Sequence, residues 1–233
     1  MEEALSRTAA LLGEEAMARL RRARVAVFGV GGVGGYVCEA LARSGVGHLT
    51  VVDGDTVSVS NLNRQIIALH STVGQKKVEV LRKRLLDIAP QMEVEAVDRF
   101  FTPENADSFA LAAYDYVVDA VDDVKAKVEL AVRCSALSVP LIAAMGAGNK
   151  LHPERFELAD LFETSVCPLA RVMRTELRKR GVDRLQVVYS KEAPRRPRDG
   201  SRVPGSTAFA PPAAGLILAG AVVRALAKLE EEA

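Results

Sequence analysis

The sequence predicts an α/β protein built on a doubly wound, mostly parallel β-sheet with helices on both faces. Short apolar strands alternate with helices through the first 150 residues, which is typical of repeated βαβ units. These strands are continuous apolar runs without polar alternation, as expected when both sheet faces are covered. A chain of 233 residues, 49% hydrophobic and 26% charged, suits one globular unit. We expect a single domain over 1–233, with the alternating part in 1–150 and a C-terminal extension in 151–233.

The elements of the alternating part follow from apolar spacing and from Gly and Pro positions. The spacing in 75–89 places Val78, Leu81, Leu85 and Ile88 on one helical face. The predicted strands are 24–30, 48–53, 93–97, 114–121 and 140–145, and the predicted helices are 13–22, 32–44, 75–89, 103–113 and 123–138.

The extension has a weaker pattern and a strong local charge. Strands are predicted at 155–160 and 184–190, flanking a basic helix at 167–180. A Pro-, Gly- and Arg-rich stretch at 192–205 predicts a mobile loop, and an apolar helix begins near Ala213. Residues 171–202 hold eleven Arg and Lys against four acids, so this segment carries +7 and the remainder −6. Such a segment is either a solvated basic face or a contact for a phosphate backbone.

Cysteine usage and hydropathy exclude several classes. Cys38, Cys134 and Cys167 form no C-x-x-C pair, so neither a disulfide framework nor a zinc site of the usual spacing is indicated. The N-terminal residues lack the apolar core of a secretory signal. The apolar run 213–223 is shorter than the roughly 20 residues needed to cross a bilayer. We therefore expect a cytoplasmic protein that does not contact a membrane.

The stretch "GVGGVG" at 29–34 lies between a predicted strand and helix. It fits G-x-G-x-x-G through Gly29, Gly31 and Gly34, and glycines there let a phosphate approach the helix N-terminus. Asp53 ends the next strand and is placed to accept hydrogen bonds from ribose hydroxyls. The motif predicts a Rossmann-like nucleotide site, although alone it does not separate NAD from ATP.

Cationic residues after the second strand favour ATP over NAD. An adenylating enzyme must neutralise a departing pyrophosphate, which calls for cations and usually Mg²⁺, whereas a hydride-transfer enzyme holds an intact pyrophosphate. Arg64 and Lys77 both fall near the strand ends that hold the glycine turn, and Asp122 follows the fourth strand. Each has an ordinary alternative as an exposed arginine, a solvated helix lysine or an N-cap aspartate.

The stretch "GVGGVGGYVCEALARSGVGHLTVVDGDTVSVSNLNRQ" resembles the adenylation domain of the ubiquitin-activating-enzyme-like (ThiF/MoeB/HesA) superfamily. The resemblance implies that Asp122 holds the metal and that Arg7 completes the site of a partner subunit in a homodimer. The catalytic residues that it implies are Arg7, Arg64, Lys77 and Asp122. The implied ATP ligands are Gly29, Gly31, Gly32, Gly34, Asp53, Asp55, Asn61, Arg64, Gln65, Lys77 and Asp122.

Three further stretches, 63–90, 145–162 and 206–220, are similar to the tRNA threonylcarbamoyladenosine dehydratases. This resemblance implies ATP-dependent adenylation of the side-chain carboxylate of the modified adenosine in tRNA. An internal nucleophile then closes a ring and releases AMP, with loss of water overall. Loop 146–150 is expected close to the reacting acyl group, and Lys127 matches a recurrent family lysine of structural or functional role. We interpret Cys167 as an ordinary loop thiol, and a sulfur-relay protein is a possible partner.

Two other functions remain open at this point. One is an adenylyltransferase that activates the C-terminal Gly-Gly of a ubiquitin-like sulfur carrier, although the absence of C-x-x-C pairs counts against it. The other is an NAD-dependent oxidoreductase or a nucleotide-binding regulator, which the cluster of cations disfavours.

Overall fold

The computed structural model describes residues 3–200 and 203–229 and confirms the predicted α/β class. Seven strands form one sheet in the order β3-β2-β1-β4-β5-β7-β6, parallel except where β6 runs antiparallel to β7. The strands are β1 Arg24–Phe28, β2 His48–Val52, β3 Glu93–Val97, β4 Tyr116–Asp119, β5 Leu141–Ala144, β6 Phe156–Asp160 and β7 Gln186–Ser190. The helices are α1 Ser6–Leu12, α2 Glu14–Arg22, α3 Gly34–Arg43, α4 Lys77–Ile88, α5 Val124–Ala136, α6 Pro168–Arg178 and α7 Ala210–Ala227.

Helices cover both faces of the sheet, and alternate residues of each strand point to opposite faces. Val25 and Val27 of β1 join the core formed with α2, α3, α4 and α7. Ala26 and Phe28 join a second core with α5. A third core packs α6 against β5 and β7. Burial on both sides explains why the central strands read as unbroken apolar runs.

The strand order reverses between β1 and β4. The chain passes from β1 to β2 and β3 on one side, then returns to place β4 on the other side of β1. The loops that follow β1 and β4 approach each other closely, since a Cβ on Gly29 would lie 2.6 Å from the Ala120 carbonyl oxygen. We call the edge where the parallel strands end the carboxyl edge, and the opposite edge the amino edge. A reversal of this kind opens a ligand crevice at the carboxyl edge.

The predicted helix at 103–113 is wrong. The chain there forms two 3₁₀ turns, Ala106–Ser108 and Leu111–Ala113. The Asn105 side chain accepts a hydrogen bond from the Thr102 N–H and donates one to the Phe100 carbonyl, which stabilises a turn in place of a helix start. Phe109 packs 5.6 Å from the Phe28 ring, and this tertiary contact overrides the helix propensity of the alanines.

The final helix begins at Ala210, three residues earlier than predicted, with Pro211 and Pro212 in its first turn. Proline is tolerated there because the first N–H groups of a helix have no intrahelical partner. By length and composition this 18-residue helix could span a membrane, but just over half of it is buried against the rest of the chain. A Cβ on Gly215 would lie 2.5 Å from the Val33 carbonyl oxygen, so α7 is closely packed on the turn before α3.

Candidate nucleotide site at the carboxyl edge

The glycine turn is shaped by two contacts that exclude a side chain. Gly29 has φ +90°, and a Cβ on Gly34 would lie 1.8 Å from the Gly29 carbonyl oxygen. A Cβ on Gly31 would meet nothing within 4 Å. Within the described residues, the N–H groups of Gly31, Gly32 and Val33 donate to no other group. The turn therefore combines N–H groups that lack a protein partner with open space at Gly31, which is the arrangement that binds an anion.

Asp53 joins the glycine turn to the segment after β2. Its carboxylate is buried and accepts hydrogen bonds from the Val30 N–H at 2.7 Å and the Asp55 N–H at 2.8 Å. A carboxylate has about four acceptor positions, so these two bonds leave capacity for ribose hydroxyls. The predicted ribose ligand lies beside the turn that would hold the phosphates.

Lys77 is brought to this edge by local pairing. Across the segments that follow β2 and precede α4, the Gly74 N–H donates to the Val57 carbonyl and the Val57 N–H donates to the Gln75 carbonyl. This pairing buries Lys77 at the first residue of α4, with its Nζ 2.7 Å from Asp55 Oδ2 and 4.0 Å from Asp53 Oδ2. A lysine in such a position can shift toward an incoming phosphate.

Arg64 lies against the glycine turn. A Cβ on Gly32 would be 3.2 Å from Arg64 Cγ, so the aliphatic part of the arginine passes over that glycine. Its Nη1 donates to the Ser60 carbonyl at 2.8 Å and to Asn63 Oδ1 at 2.9 Å. Among the described residues, Nε and Nη2 have no acceptor. The guanidinium is thus oriented by one nitrogen and has the others available for an anion.

Asn61 and Gln65 differ in how their amides are used. Asn61 Oδ1 accepts from the Ser58 N–H at 3.1 Å and closes the turn that leads to Arg64. Gln65 is 7% exposed, and its Oε1 is buried without a hydrogen-bond partner in the part of the chain that the structure describes. A buried orphan acceptor is costly, so this oxygen marks a position where a donor is missing.

Asp122 and Asp123 divide two roles after β4. Asp123 is the N-cap of α5 and accepts the Ala126 N–H at 2.8 Å. The cap interaction that was an alternative for Asp122 therefore belongs to its neighbour. Asp122 is exposed, and its carboxylate takes part in no hydrogen bond or ion pair with another described residue. It has the freedom that a metal ligand requires.

Sequence reasoning missed a buried ion pair beneath this turn. Asp119 and Lys127 are both 0% exposed, with Lys127 Nζ 2.9 Å from Asp119 Oδ2. Burial raises the pKa of Asp119, and Lys127 opposes that rise. Asp119 Oδ1 accepts the Val121 N–H, while Lys127 donates to the Val121 carbonyl at 3.2 Å. The pair holds the turn that leads to Asp122, so Lys127 has a structural role in this part of the fold.

Arg7 does not join the other predicted residues. It is exposed on α1, and the preceding Leu5 packs on Gly45, which lies just before β2 at the amino edge. The nucleotide site of the same chain is at the carboxyl edge. A role for Arg7 at such a site therefore requires a second copy of the chain.

Loop 146–150 follows β5 at the carboxyl edge, as predicted. Lys150 is 3% exposed, and its Nζ donates to the Glu192 carbonyl; burial lowers the pKa of Lys150. The Glu192 carboxylate accepts the N–H groups of Leu151 and His152. Cys167 is buried and reaches within 3.7 Å of a Cβ built on Gly146. The thiol predicted as an ordinary loop residue is thus part of a closely packed support for this loop.

The residues at the carboxyl edge suit ATP as a ligand. The Asp122 carboxylate also suits an Mg²⁺ ion bound together with ATP. The unpaired turn amides suit phosphate oxygens, and Gln65 Oε1 lacks a donor. The described residues contain no cluster of three metal-ligating side chains. Mg²⁺ commonly uses one or two carboxylates together with substrate phosphates, so Asp122 alone would suffice as the protein ligand.

The ThiF family matches residues 5–233. The chain belongs to the ThiF family. It is 43% identical over 239 residues to a Bacillus subtilis tRNA threonylcarbamoyladenosine dehydratase, covering 96% of this chain and 94% of that protein. It is 42% identical to the Escherichia coli dehydratase over 73% of this chain and 64% of that protein. The predicted superfamily and the similarity to these dehydratases are confirmed.

Solved structures agree with this family assignment. The E. coli dehydratase TcdA in complex with ATP has a TM-score of 0.89 at 34% identity, covering 95% of this chain and 93% of that one. The complex with AMP has a TM-score of 0.88 at 35% identity, covering 94% and 92%. E. coli MccB with ATP, at 18% identity and a TM-score of 0.72, shares the fold and covers 99% of this chain and 65% of its own.

Proposed function

We propose that this chain is an ATP- and Mg²⁺-dependent tRNA threonylcarbamoyladenosine dehydratase. The observation that carries the proposal is the set of unsatisfied groups at the carboxyl edge: the free turn amides, the half-engaged guanidinium of Arg64, the orphan Gln65 Oε1 and the unpaired Asp122. ATP together with Mg²⁺ would satisfy all of them, with the metal ion between Asp122 and the phosphates. Similarity to dehydratases over nearly the whole chain supports the tRNA substrate.

The residues divide the work of binding ATP. The turn formed by Gly29, Gly31, Gly32 and Gly34 would hold the phosphates, and Asp53 and Asp55 would face the ribose side of the crevice. Asn61 would support the turn before Arg64, with Gln65 accepting from the nucleotide. Asp122 would hold Mg²⁺, which when bound supplies positive charge to the phosphates.

The chemistry calls for charge stabilisation at the departing phosphates. A carboxylate oxygen of the substrate attacks the α-phosphorus, and the bond to the β-phosphate oxygen breaks. Pyrophosphate leaves, and Arg64 and Lys77 stabilise its charge. A nucleophile of the carbamoyl group then attacks the acyl carbon, its proton is released, and AMP departs with the original carboxylate oxygen. The substrate loses the elements of water, and the protein forms no covalent bond.

The active form is proposed to be a homodimer. Arg7 lies toward the amino edge of its own sheet and would act on the departing pyrophosphate of the neighbouring site. A fast test mixes Arg7→Ala chains with Arg64→Ala chains, since a shared site regains partial activity in the mixed dimer. Each variant alone should stay inactive, because every site in its dimer lacks one of the two arginines.

We also propose a cytoplasmic location and a sulfur-relay protein as a further partner.

The decisive assay incubates the protein with ATP, Mg²⁺ and tRNA carrying threonylcarbamoyladenosine. We expect AMP, pyrophosphate and a nucleoside lighter by one water, measured by mass spectrometry of the digested tRNA. The matched control omits ATP. A second control replaces tRNA with a sulfur-carrier protein ending in Gly-Gly. Unchanged nucleoside at stoichiometric enzyme overturns the proposal, and carrier-dependent pyrophosphate exchange would assign the sulfur-carrier function in its place.

A further inference from the structure

The basic residues of 171–202 separate into two groups by their place on the sheet. Helix α6 starts near the carboxyl edge, where Cys167 packs by Gly146, and the chain then begins β7 at the amino edge. After β7 it returns to the carboxyl edge as the basic loop, residues 192–200. The amino-edge group is Arg178, Lys179, Arg180 and Arg184, and the carboxyl-edge group is Arg171, Arg195, Arg196 and Arg198. Ser201 and Arg202 of the predicted mobile loop lie outside the described residues.

Outside the carboxyl-edge group, most of the described basic residues of 171–202 already contact other groups of the protein. Glu176 pairs with Lys179 at 2.9 Å and with Arg180 at 2.7 Å. The Arg178 guanidinium lies 5.2 Å from the centre of the Phe162 ring. Two further cations are engaged within the fold: Arg174 donates to Thr164, and Lys191 pairs with Glu157. These contacts reduce what this part of the segment offers a polyanion.

The carboxyl-edge group is largely unengaged. Arg171, Arg196 and Arg198 are exposed, and unlike Lys179 and Arg180 they are not held by Glu176. Arg195 is 58% exposed at its side chain and lies 3.6 Å from Glu192. Glu192 already accepts the N–H groups of Leu151 and His152, so its charge is shared.

The basic loop is fixed over loop 146–150. The Arg195 N–H donates to the Asn149 carbonyl at 2.9 Å. Beyond the loop, the Gly205 N–H donates to Asn149 Oδ1, and the Asn149 N–H donates back to the Gly205 carbonyl, both at 2.7 Å. Lys150 holds the Glu192 carbonyl at the start of the loop. Loop 146–150 therefore holds the chain at Glu192 and Arg195 in the basic loop, and again at Gly205 beyond it.

We propose that the carboxyl-edge group, Arg171, Arg195, Arg196 and Arg198, is the surface on which tRNA docks through its phosphate backbone. This inference rests on the proposed function. The modified nucleoside must enter at the carboxyl edge, because the ATP site is there, and its flanking phosphates then pass beside the anchored basic loop. Phosphate contacts dominate the affinity of proteins for nucleic acids, and arginine binds phosphate with two parallel hydrogen bonds.

The test compares two triple variants that each remove three charges. Arg195, Arg196 and Arg198 are changed to Ala in one, and Lys179, Arg180 and Arg184 are changed to Ala in the other. Affinity for tRNA is measured at several salt concentrations, and kcat and KM for tRNA are measured with saturating ATP. We expect the first variant to raise Kd and KM about tenfold or more and to flatten the slope of log K against log salt by about 2. The second should change Kd less than about twofold.

A direct ATP-binding measurement accompanies both variants and should be unchanged, which shows that the site is intact. If the first variant binds tRNA like the wild type, or if the second weakens binding as much, the assignment of this surface is overturned while dehydration by the wild type still supports the proposed function. If the wild type neither binds nor dehydrates the tRNA, the proposed function itself is overturned.

Discussion

The two edges of the central sheet contrast in shape and in chemistry. At the amino edge, a cavity of about 540 Å³ lies by the starts of β4, β5 and β7, and another of about 560 Å³ lies by the starts of β2 and β3. Each cavity has a pair of polar side chains that satisfy each other: Tyr116 donates to Gln186 Oε1 at 3.2 Å in the first, and His48 lies 3.0 Å from Glu93 in the second. The carboxyl edge holds the unpaired groups, Gln65 Oε1 and Asp122 among them.

This contrast teaches that a large hollow is not sufficient evidence of a site. A cavity whose polar groups are satisfied by the protein offers a ligand little beyond space. A ligand gains most where polar groups lack partners, since leaving a buried group unpaired costs about 1–3 kcal/mol. The following predictions test whether the carboxyl edge differs from the rest of the fold in this way.

The largest effect is expected from breaking the buried ion pair. Lys127→Met leaves Asp119 buried without its cation, and we expect the free energy of unfolding to fall by about 3–5 kcal/mol. Urea denaturation measures it. The double variant Asp119→Asn with Lys127→Met should recover part of that loss, because no charge remains buried. A cost for Lys127→Met of less than about 1 kcal/mol would show that the pair does not hold this turn.

The adjacent aspartates Asp122 and Asp123 separate function from stability. Asp122→Ala should lower kcat about 10²–10³-fold with no change in melting temperature, because its carboxylate supports nothing in the fold. Asp123→Ala removes the N-cap of α5 and should lower the free energy of unfolding by about 1 kcal/mol while retaining most activity. Steady-state kinetics and thermal melts on both variants check this. Reversed results would mean that Asp123 is the residue facing ATP.

Two glycines of the turn make a similar pair. Gly31→Ala meets no neighbour within 4 Å, so the protein should melt normally, but its Cβ enters the space left for phosphate. We expect ATP affinity to fall about tenfold, or roughly 1.4 kcal/mol. Gly34→Ala would clash with the Gly29 carbonyl and should lower the melting temperature. Calorimetric titration with ATP distinguishes them, and unchanged affinity in Gly31→Ala would remove the turn from the phosphate site.

The smallest effect concerns the anchor of the basic loop at low pH. Burial raises the pKa of Glu192, but hydrogen bonds from His152 and Leu151 outweigh it, and the net pKa lies below 4.5. A lowered folded pKa stabilises the protein above the unfolded pKa, and that contribution is lost as pH falls through the folded value. Glu192→Gln should therefore flatten the stability profile below about pH 4.5. If the free energy of unfolding fell with pH at the same slope in variant and wild type, the Glu192 carboxylate would not anchor this loop.

The fold and the residues near the glycine turn could be predicted because their signals are local. Gly29, Gly31 and Gly34 follow a strand directly, and parallel strands bring their carboxyl ends to one edge whatever the detailed packing. Asp53 and Lys77 follow the same rule. Their placement around one crevice is observed, while their roles toward ATP remain predictions.

Other features depend on contacts that no local pattern carries. Asp119 and Lys127 are eight positions apart. The family resemblance singled out Lys127, but no local pattern pairs it with Asp119, and only the sheet topology buries them together. The turn at 103–113 depends on packing of Phe109 against Phe28. The docking of Gly205 on Asn149 depends on β7 lying beside β5, which is not the order of the strands in the chain.

The segment from Pro204 to Pro211 crosses the whole crevice. Pro204 lies over Gly148, the Ser206 carbonyl accepts from Asn63 beside Arg64, and Pro211 packs on Gly32. One stretch of the chain thus touches loop 146–150, which anchors the basic loop, the segment that carries Arg64, and the glycine turn. If binding of one substrate shifts this stretch and so changes the affinity for the other, the second substrate changes the affinity for the first by the same factor, since coupling between two binding events is reciprocal. Under the proposed function, this stretch is therefore the element through which ATP binding and tRNA binding would be coupled.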